Sequence, residues 1–263
     1  MFIDKYKFWK IISFIEAVII CFLVVTTVNA LGTFPTGCIA GGLDGRYLCW
    51  RDNVEQVKFD LTHWKLQIPG PKDIIPIGSY TSKYFYYGSS NEMVFWVDSS
   101  ETGTTANSSY VRSELREMLD PTNSKINWLI PGTHTLKAEL EVTKAGAPKI
   151  TVLQIHGIEK DGTNAPPLLK MTVENGSLYA LLKVNNSGSS EDKHLLATGV
   201  KKFLAEIEVK DSRLVIKIDG KIKLDKSISF WKHYNYFKAG LYPQATKGIS
   251  EVKFYQLEIK HIP

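Results

Sequence analysis

Beyond its first thirty residues the chain has no long apolar run, no sustained 3.6-residue apolar period and no internal repeat. A helix needs an apolar stripe to bury, so that missing period argues against a helical bundle or a sheet with interleaved helices. The 6 histidines, at His63, His134, His156, His194, His233 and His261, show no H-E-x-x-H or comparable ligand spacing. That argues against a metal hydrolase. No basic run occurs, and the net charge is only +5. So mild a bias favours a polyanionic partner without naming one, and it gives no support to nucleic acid. What is present is an ordinary globular composition, 44% apolar and 22% charged, which supports a sizeable core.

The N-terminus does not read as part of the fold. Lys5, Lys7 and Lys10 precede IISFIEAVIICFLVVTTV, and Val28 and Ala30 then stand in a small-residue cleavage pattern. Residues 1–30 are therefore expected to be a signal peptide. The run is also long enough for an uncleaved signal anchor, although Glu16 would be costly inside a bilayer. Either form delivers the domain to the exoplasmic side, so the expectation is a secreted protein, membrane-bound only if the anchor stays. Cys21 would leave with the peptide. Cys38 and Cys49 remain, and a short-loop disulfide between them is expected in an oxidising compartment, with two free thiols as the alternative. N-x-S/T sequons begin at Asn107, Asn175 and Asn185.

Residues 31–54 are Gly-rich and read as irregular, and DNVEQV is compatible with a short helix. From residue 55 to 263 the pattern is short strands between turn signals. LLKMTVENGSLYALLKV is two alternating runs around Asn175-Gly176, and RLVIKIDGKIKL repeats the device at Asp219-Gly220. Such dipeptides favour the tight turns of β-hairpins. HTLKAELEV, KITVLQIHGI and EVKFYQLEIK are rich in β-branched and aromatic residues. Many strands without helices predict one all-β domain, a sandwich or barrel.

Strand alternation sends successive side chains to opposite faces. In YVRSELREML one face carries Tyr110, Arg112, Glu114 and Arg116, the other Val111, Ser113, Leu115 and Glu117. In TVLQIHGIE, Gln154 and His156 share a face opposite Leu153 and Ile155. In YFKAGLYPQ, Tyr236, Lys238, Gly240, Tyr242 and Gln244 oppose Phe237, Ala239, Leu241 and Pro243. Each residue alone has a plain reading: exposed ion pairs for the arginines and Glu114, a solvated histidine, ordinary strand tyrosines. The coincidence of the same split in widely separated segments points further. Arginine forks bind carboxylates, amides read hydroxyls and tyrosine rings pack on sugar faces.

RSELRE at 112–117, QIH at 154–156 and YFKAGLYPQ at 236–244 resemble the signature segments of alginate lyases of polysaccharide lyase family 7. HWKLQIP at 63–69 and FYQLEI at 254–259 look like that family's first and last strands. The resemblance implies a jelly-roll β-sandwich, two antiparallel sheets with a concave substrate groove. It implies β-elimination on alginate or a related poly-uronate, without a required metal, and the protein is expected to be a monomer without a cofactor. Arg112 and Gln154, with His156, would hold the uronate carboxylate and stabilise the enolate-like intermediate. His156 and Tyr242 would exchange protons with C5 and O4; a histidine near ~6.5 suits a base, a tyrosine near ~10 an acid. Glu114, Arg116, Tyr236, Lys238 and Gln244 would serve substrate binding, Glu114 by orienting an arginine. Pro243 departs from the family, where a residue with a free N–H is commoner, and implies an edge or bulge. The QIH form goes in the family with guluronate-containing blocks.

The rival readings are a non-catalytic jelly-roll module for acidic glycans, which needs neither His156 nor Tyr242, and a glycoside hydrolase. A hydrolase needs paired carboxylates across the bond. Glu114 and Glu117 fall on opposite strand faces and do not form such a pair.

Overall fold

The computed structural model describes residues 59–70, 72–101 and 110–263 in full, and the backbone of 38–41 and 46–49. The chain divides into two compact units, Met1–Gln56 and Val57–Pro263. In the first, β1 (Cys38–Gly41) and β2 (Arg46–Cys49) pair antiparallel, with Cys38 opposite Cys49 in the register. The segment expected to be irregular thus contains a short strand pair. The predicted signal segment, the DNVEQV helix and Asn107 lie outside the described residues.

The second unit is a jelly-roll sandwich of two antiparallel 7-stranded sheets, and no helix occurs among its described residues. One sheet runs β11 (Glu191–Ala197), β10 (Ser177–Lys183), β9 (Asn164–Glu174), β8 (Lys149–Ile158), β15 (Tyr234–Pro243), β6 (Ser113–Glu117), β3 (Trp64–Gln67). The other runs β14 (Lys221–Ser227), β13 (Arg213–Ile218), β12 (Lys202–Lys210), β7 (Thr133–Ala145), β16 (Ile249–Ile262), β5 (Met93–Asp98), β4 (Phe85–Tyr87). Both hairpin signals are realised. Asn175 and Gly176 between β9 and β10, and Asp219 and Gly220 between β13 and β14, all take the positive φ that a type I′ turn needs.

The core fills the space between the sheets. Leu115, Leu153, Ile155, Phe237 and Leu241 meet Leu136, Leu140, Ile216, Phe95 and Phe254 there, all fully or almost fully buried. Each such side chain contributes ~1.5–3 kcal/mol by leaving water. Glu117 also points inward, at 0% exposure. Its Oε2 accepts the Trp128 indole N–H at 3.1 Å and the Phe237 amide at 2.7 Å. Its Oε1 lies 2.5 Å from His261 Nε2, and His261 Nδ1 lies 2.8 Å from His134 Nδ1. A buried polar buckle therefore joins β6 and β15 of one sheet to β16 and β7 of the other. It survives burial because each of these polar atoms has a partner.

Candidate active site

β15 is the middle strand of its sheet's functional half, between β8 and β6. Its register sets Lys238 opposite Arg116 on one side and Gln154 on the other, and Tyr236 opposite His156. Gly240 stands opposite Glu114. The polar faces predicted from alternation are thus one face of one sheet. A register shift between Ala239 and Tyr242 marks a bulge just before Pro243, which stays inside the sheet opposite Ile150. An irregularity was expected at Pro243; the bulge lies just before it, between Ala239 and Tyr242, and Pro243 itself is the last residue of β15.

The bulge has a steric reason. Gly240 has a φ of +145°, and a Cβ there would come 2.7 Å from the Glu114 Cα and 2.7 Å from the Ser113 carbonyl oxygen. Only glycine lets β15 approach β6 this closely.

Glu114 is the hub. It has 0% exposure, and its Oε2 receives Lys238 Nζ at 2.5 Å and Arg112 Nη1 at 3.1 Å. Gln154 donates its amide to the other oxygen. Burial alone would raise this carboxyl; the charges of Lys238 and Arg112 and the bonds from Lys238 and Gln154 outweigh it and hold the group below the ordinary carboxylate range. In return Lys238, itself 2% exposed, is pushed down to about 8, by burial against the pull of Glu114. Glu114 orients Arg112, Lys238 and Gln154 together; Arg116 is not among its partners.

His156 sits beside this hub. Its Nδ1 lies 2.8 Å from the Gly157 carbonyl oxygen, which can only accept, so Nδ1 carries the hydrogen and Nε2 keeps its lone pair. Burial, then the charge of Lys238, pushes the imidazole down to about 4. Its ring is thus neutral near pH 7 and its Nε2 can take a proton. Tyr242 lies under the Arg112 guanidinium, whose carbon is 4.0 Å from the ring centroid, and Tyr110 meets the same ring edge-on at 6.4 Å. Tyr110 had been placed on the polar face by alternation, but nothing in the sequence paired it with Tyr242.

The proposed binding residues divide. Arg116 turns into the molecule at 4% exposure and donates to the Glu117 and Ser124 carbonyls and to Asn127. Tyr236 is 7% exposed beneath it. Gln244 donates to Thr151 Oγ1 at 3.2 Å, and its backbone N–H closes onto Lys149. Asn127 and Ser124 carry no signal in the sequence; they reach the site only because the segment after β6 folds back over it. Among the described residues no group of three or more His, Cys, Asp and Glu is placed to hold a metal. A cavity of about 610 Å³ opens between the opposite sheet, at Lys137, Glu206, Lys217 and Glu258, and the chain entering β3 at Phe59, His63 and Trp64, and contains none of the clustered residues.

A sandwich that holds cations and an amide on a buried carboxylate, with a neutral histidine and a tyrosine alongside, has the parts for carboxylate recognition and proton transfer at one place. The fold and site thus define a polysaccharide-processing jelly roll. The alginate lyase family model matches residues 59–261, and the chain belongs to that family. An alginate lyase from a Photobacterium species is 34% identical over 140 residues, 41% of this chain and 49% of that protein, so the match spans about half of that relative. The structure of alginate lyase A1-II′, a member of polysaccharide lyase family 7, superposes with a TM-score of 0.72 at 41% identity, over 77% of this chain and 96% of that one. An alginate lyase from Pseudomonas aeruginosa superposes at 0.70 with 26% identity, over 77% of this chain and 100% of that one.

Proposed function

We propose that this protein cleaves alginate by β-elimination, leaving a 4,5-unsaturated uronate at the new end. The observation that carries the reading is the Glu114 hub, which presents Arg112, Gln154 and Lys238 as a preorganised carboxylate site beside His156 and Tyr242. Neutralising the uronate carboxylate acidifies C5 and stabilises the charge that develops there. His156 Nε2 takes the C5 proton, the C4–O4 bond breaks as the C4–C5 double bond forms, and Tyr242 protonates the departing O4. No water is consumed. A variant of A1-II′ with one histidine changed to asparagine and one tyrosine to phenylalanine was captured with its substrate. Those are the residue types of His156 and Tyr242.

Full-length protein given alginate without added metal is expected to raise the ultraviolet absorbance of an unsaturated uronate. His156→Ala and Tyr242→Phe should each abolish the rise while leaving the circular dichroism spectrum intact. No rise on alginate, polymannuronate or polyguluronate would reject the lyase reading in favour of a glycan-binding module. The same block substrates test the guluronate preference that the QIH form suggests.

The protein is further expected to act outside the cell as a monomer, exported by its Lys-flanked apolar N-terminus. Its appearance in the medium, shortened after Ala30, tests this. The register that sets Cys38 opposite Cys49 supports a disulfide between them, to be read as a mass difference of two hydrogens on reduction.

A further inference from the structure

The polar face of this sheet carries a stack of which the elimination steps use one member, His156, and leave the other two without a role. Arg116, Tyr236 and His156 stand on adjacent strands, β6, β15 and β8. The Arg116 guanidinium carbon lies 4.0 Å from the centroid of the Tyr236 ring. On the other side, the His156 imidazole lies 5.2 Å from Tyr236, centroid to centroid, at an interplanar angle of 13°. Tyr236 is directly opposite His156 in the register, whereas Arg116 is opposite Lys238 and reaches the tyrosine ring diagonally.

The far end of the stack is anchored. Arg116 Nη1 donates to the Glu117 carbonyl at 2.6 Å and approaches Met118 Sδ at 3.1 Å. Nη2 donates to the Ser124 carbonyl at 2.8 Å and to Asn127 Oδ1 at 2.9 Å. Both terminal guanidinium nitrogens are thus committed to the end of β6 and the segment after it, so at 4% exposure the Nη1/Nη2 fork is not free to bind a polymer carboxylate. The near end is anchored too, by the His156 Nδ1 bond to Gly157. The imidazole therefore has one face against Tyr236 and one nitrogen against the backbone. Those two constraints set both its tilt and its rotation, and so the position of Nε2.

We propose that Arg116 and Tyr236 are positioning residues that clamp the imidazole of His156, and that neither binds the polymer. This rests on the reading of His156 as the group that takes the proton. A base displaced by about 1 Å loses rate on the order of 10²-fold, and substrate affinity need not change.

The test is steady-state kinetics on alginate oligomers of increasing length, with Arg116→Lys, Tyr236→Leu and Tyr236→Phe. Lysine keeps the charge but loses the planar stack and the fork. Leucine removes the ring together with the tyrosine hydroxyl's hydrogen bond to Arg116, a bond that Tyr236→Phe also removes, and leaves the Arg116 bonds to Glu117, Ser124 and Asn127 in place, so it remains informative if Arg116→Lys fails to fold. The expected result is a ~10–100-fold fall in kcat for Arg116→Lys and Tyr236→Leu, with KM within about twofold and the same factor at every oligomer length. Tyr236→Phe keeps the stack and should recover most of the lost rate. The ring-proton NMR shifts of His156, displaced by the neighbouring ring, should relax in Tyr236→Leu and persist in Tyr236→Phe. A rise in KM that grows with oligomer length, or unchanged kcat in Tyr236→Leu, would overturn the proposal. If His156→Ala kept its turnover, the assignment of His156 itself would fail; an inactive His156→Ala beside a KM effect at Arg116 would leave that assignment standing and remove only the clamp.

Discussion

Lys238 reaches across from β15 to set its ammonium 2.5 Å from Oε2 of Glu114 on β6, and neither side chain exposes more than 3% of its surface. Burial nonetheless leaves Lys238 at about 8 and His156 at about 4. Free-enzyme groups set the limbs of kcat/KM. The profile is expected to lose activity below about 4, as His156 gains a proton, and above about 8, as Lys238 loses one. Lys238→Arg should move the alkaline limb upward while leaving the acid limb in place. An alkaline limb that did not move would detach it from Lys238.

Glu114 compensates two cations, the buried Lys238 and the partly buried Arg112. Removing one partner of a buried ion cluster strands the others, which typically costs ~3–5 kcal/mol. Glu114→Ala should lower unfolding stability by about that much in urea titration. A loss under ~1 kcal/mol would mean that water enters and solvates the cations.

Gly240→Ala places a methyl group against backbone atoms of Glu114 and Ser113 that no rotamer can clear. β15 and β6 must then separate and shift the Glu114 hub. Turnover is expected to fall on the order of 10²-fold, as for other displacements of about 1 Å. Near-normal turnover in Gly240→Ala would show that the close approach is dispensable.

Acid should weaken the fold through two of its histidines. His156 and His134 are both held below the ordinary histidine value, His134 first by burial. In the window from ~6.5 downward the unfolded chain binds protons that the folded one refuses, so stability is present above ~6.5 and lost as pH falls. The urea midpoint should drop between pH 7 and pH 5. A flat midpoint across that interval would contradict it.

Alternation alone sorted the polar from the apolar face in the segments that became β6, β8 and β15, because a period of 2 is a local property of an extended backbone. It placed Arg112, Glu114, Gln154, His156, Lys238 and Tyr242 on the functional side and turned Glu117 inward. The Asn-Gly and Asp-Gly turns were equally legible, since positive φ is a demand on two neighbouring residues. Register was not local. That Glu114 gathers Lys238 and Gln154, that Gly240 lets β15 close on β6, and that Glu117 meets His261, 144 residues away, were decided by strand pairing across the sandwich. Arg116 shows the division most clearly. Its face was readable in RSELRE, but its partners were not, because the segment carrying Ser124 and Asn127 captures the guanidinium only once the chain folds back.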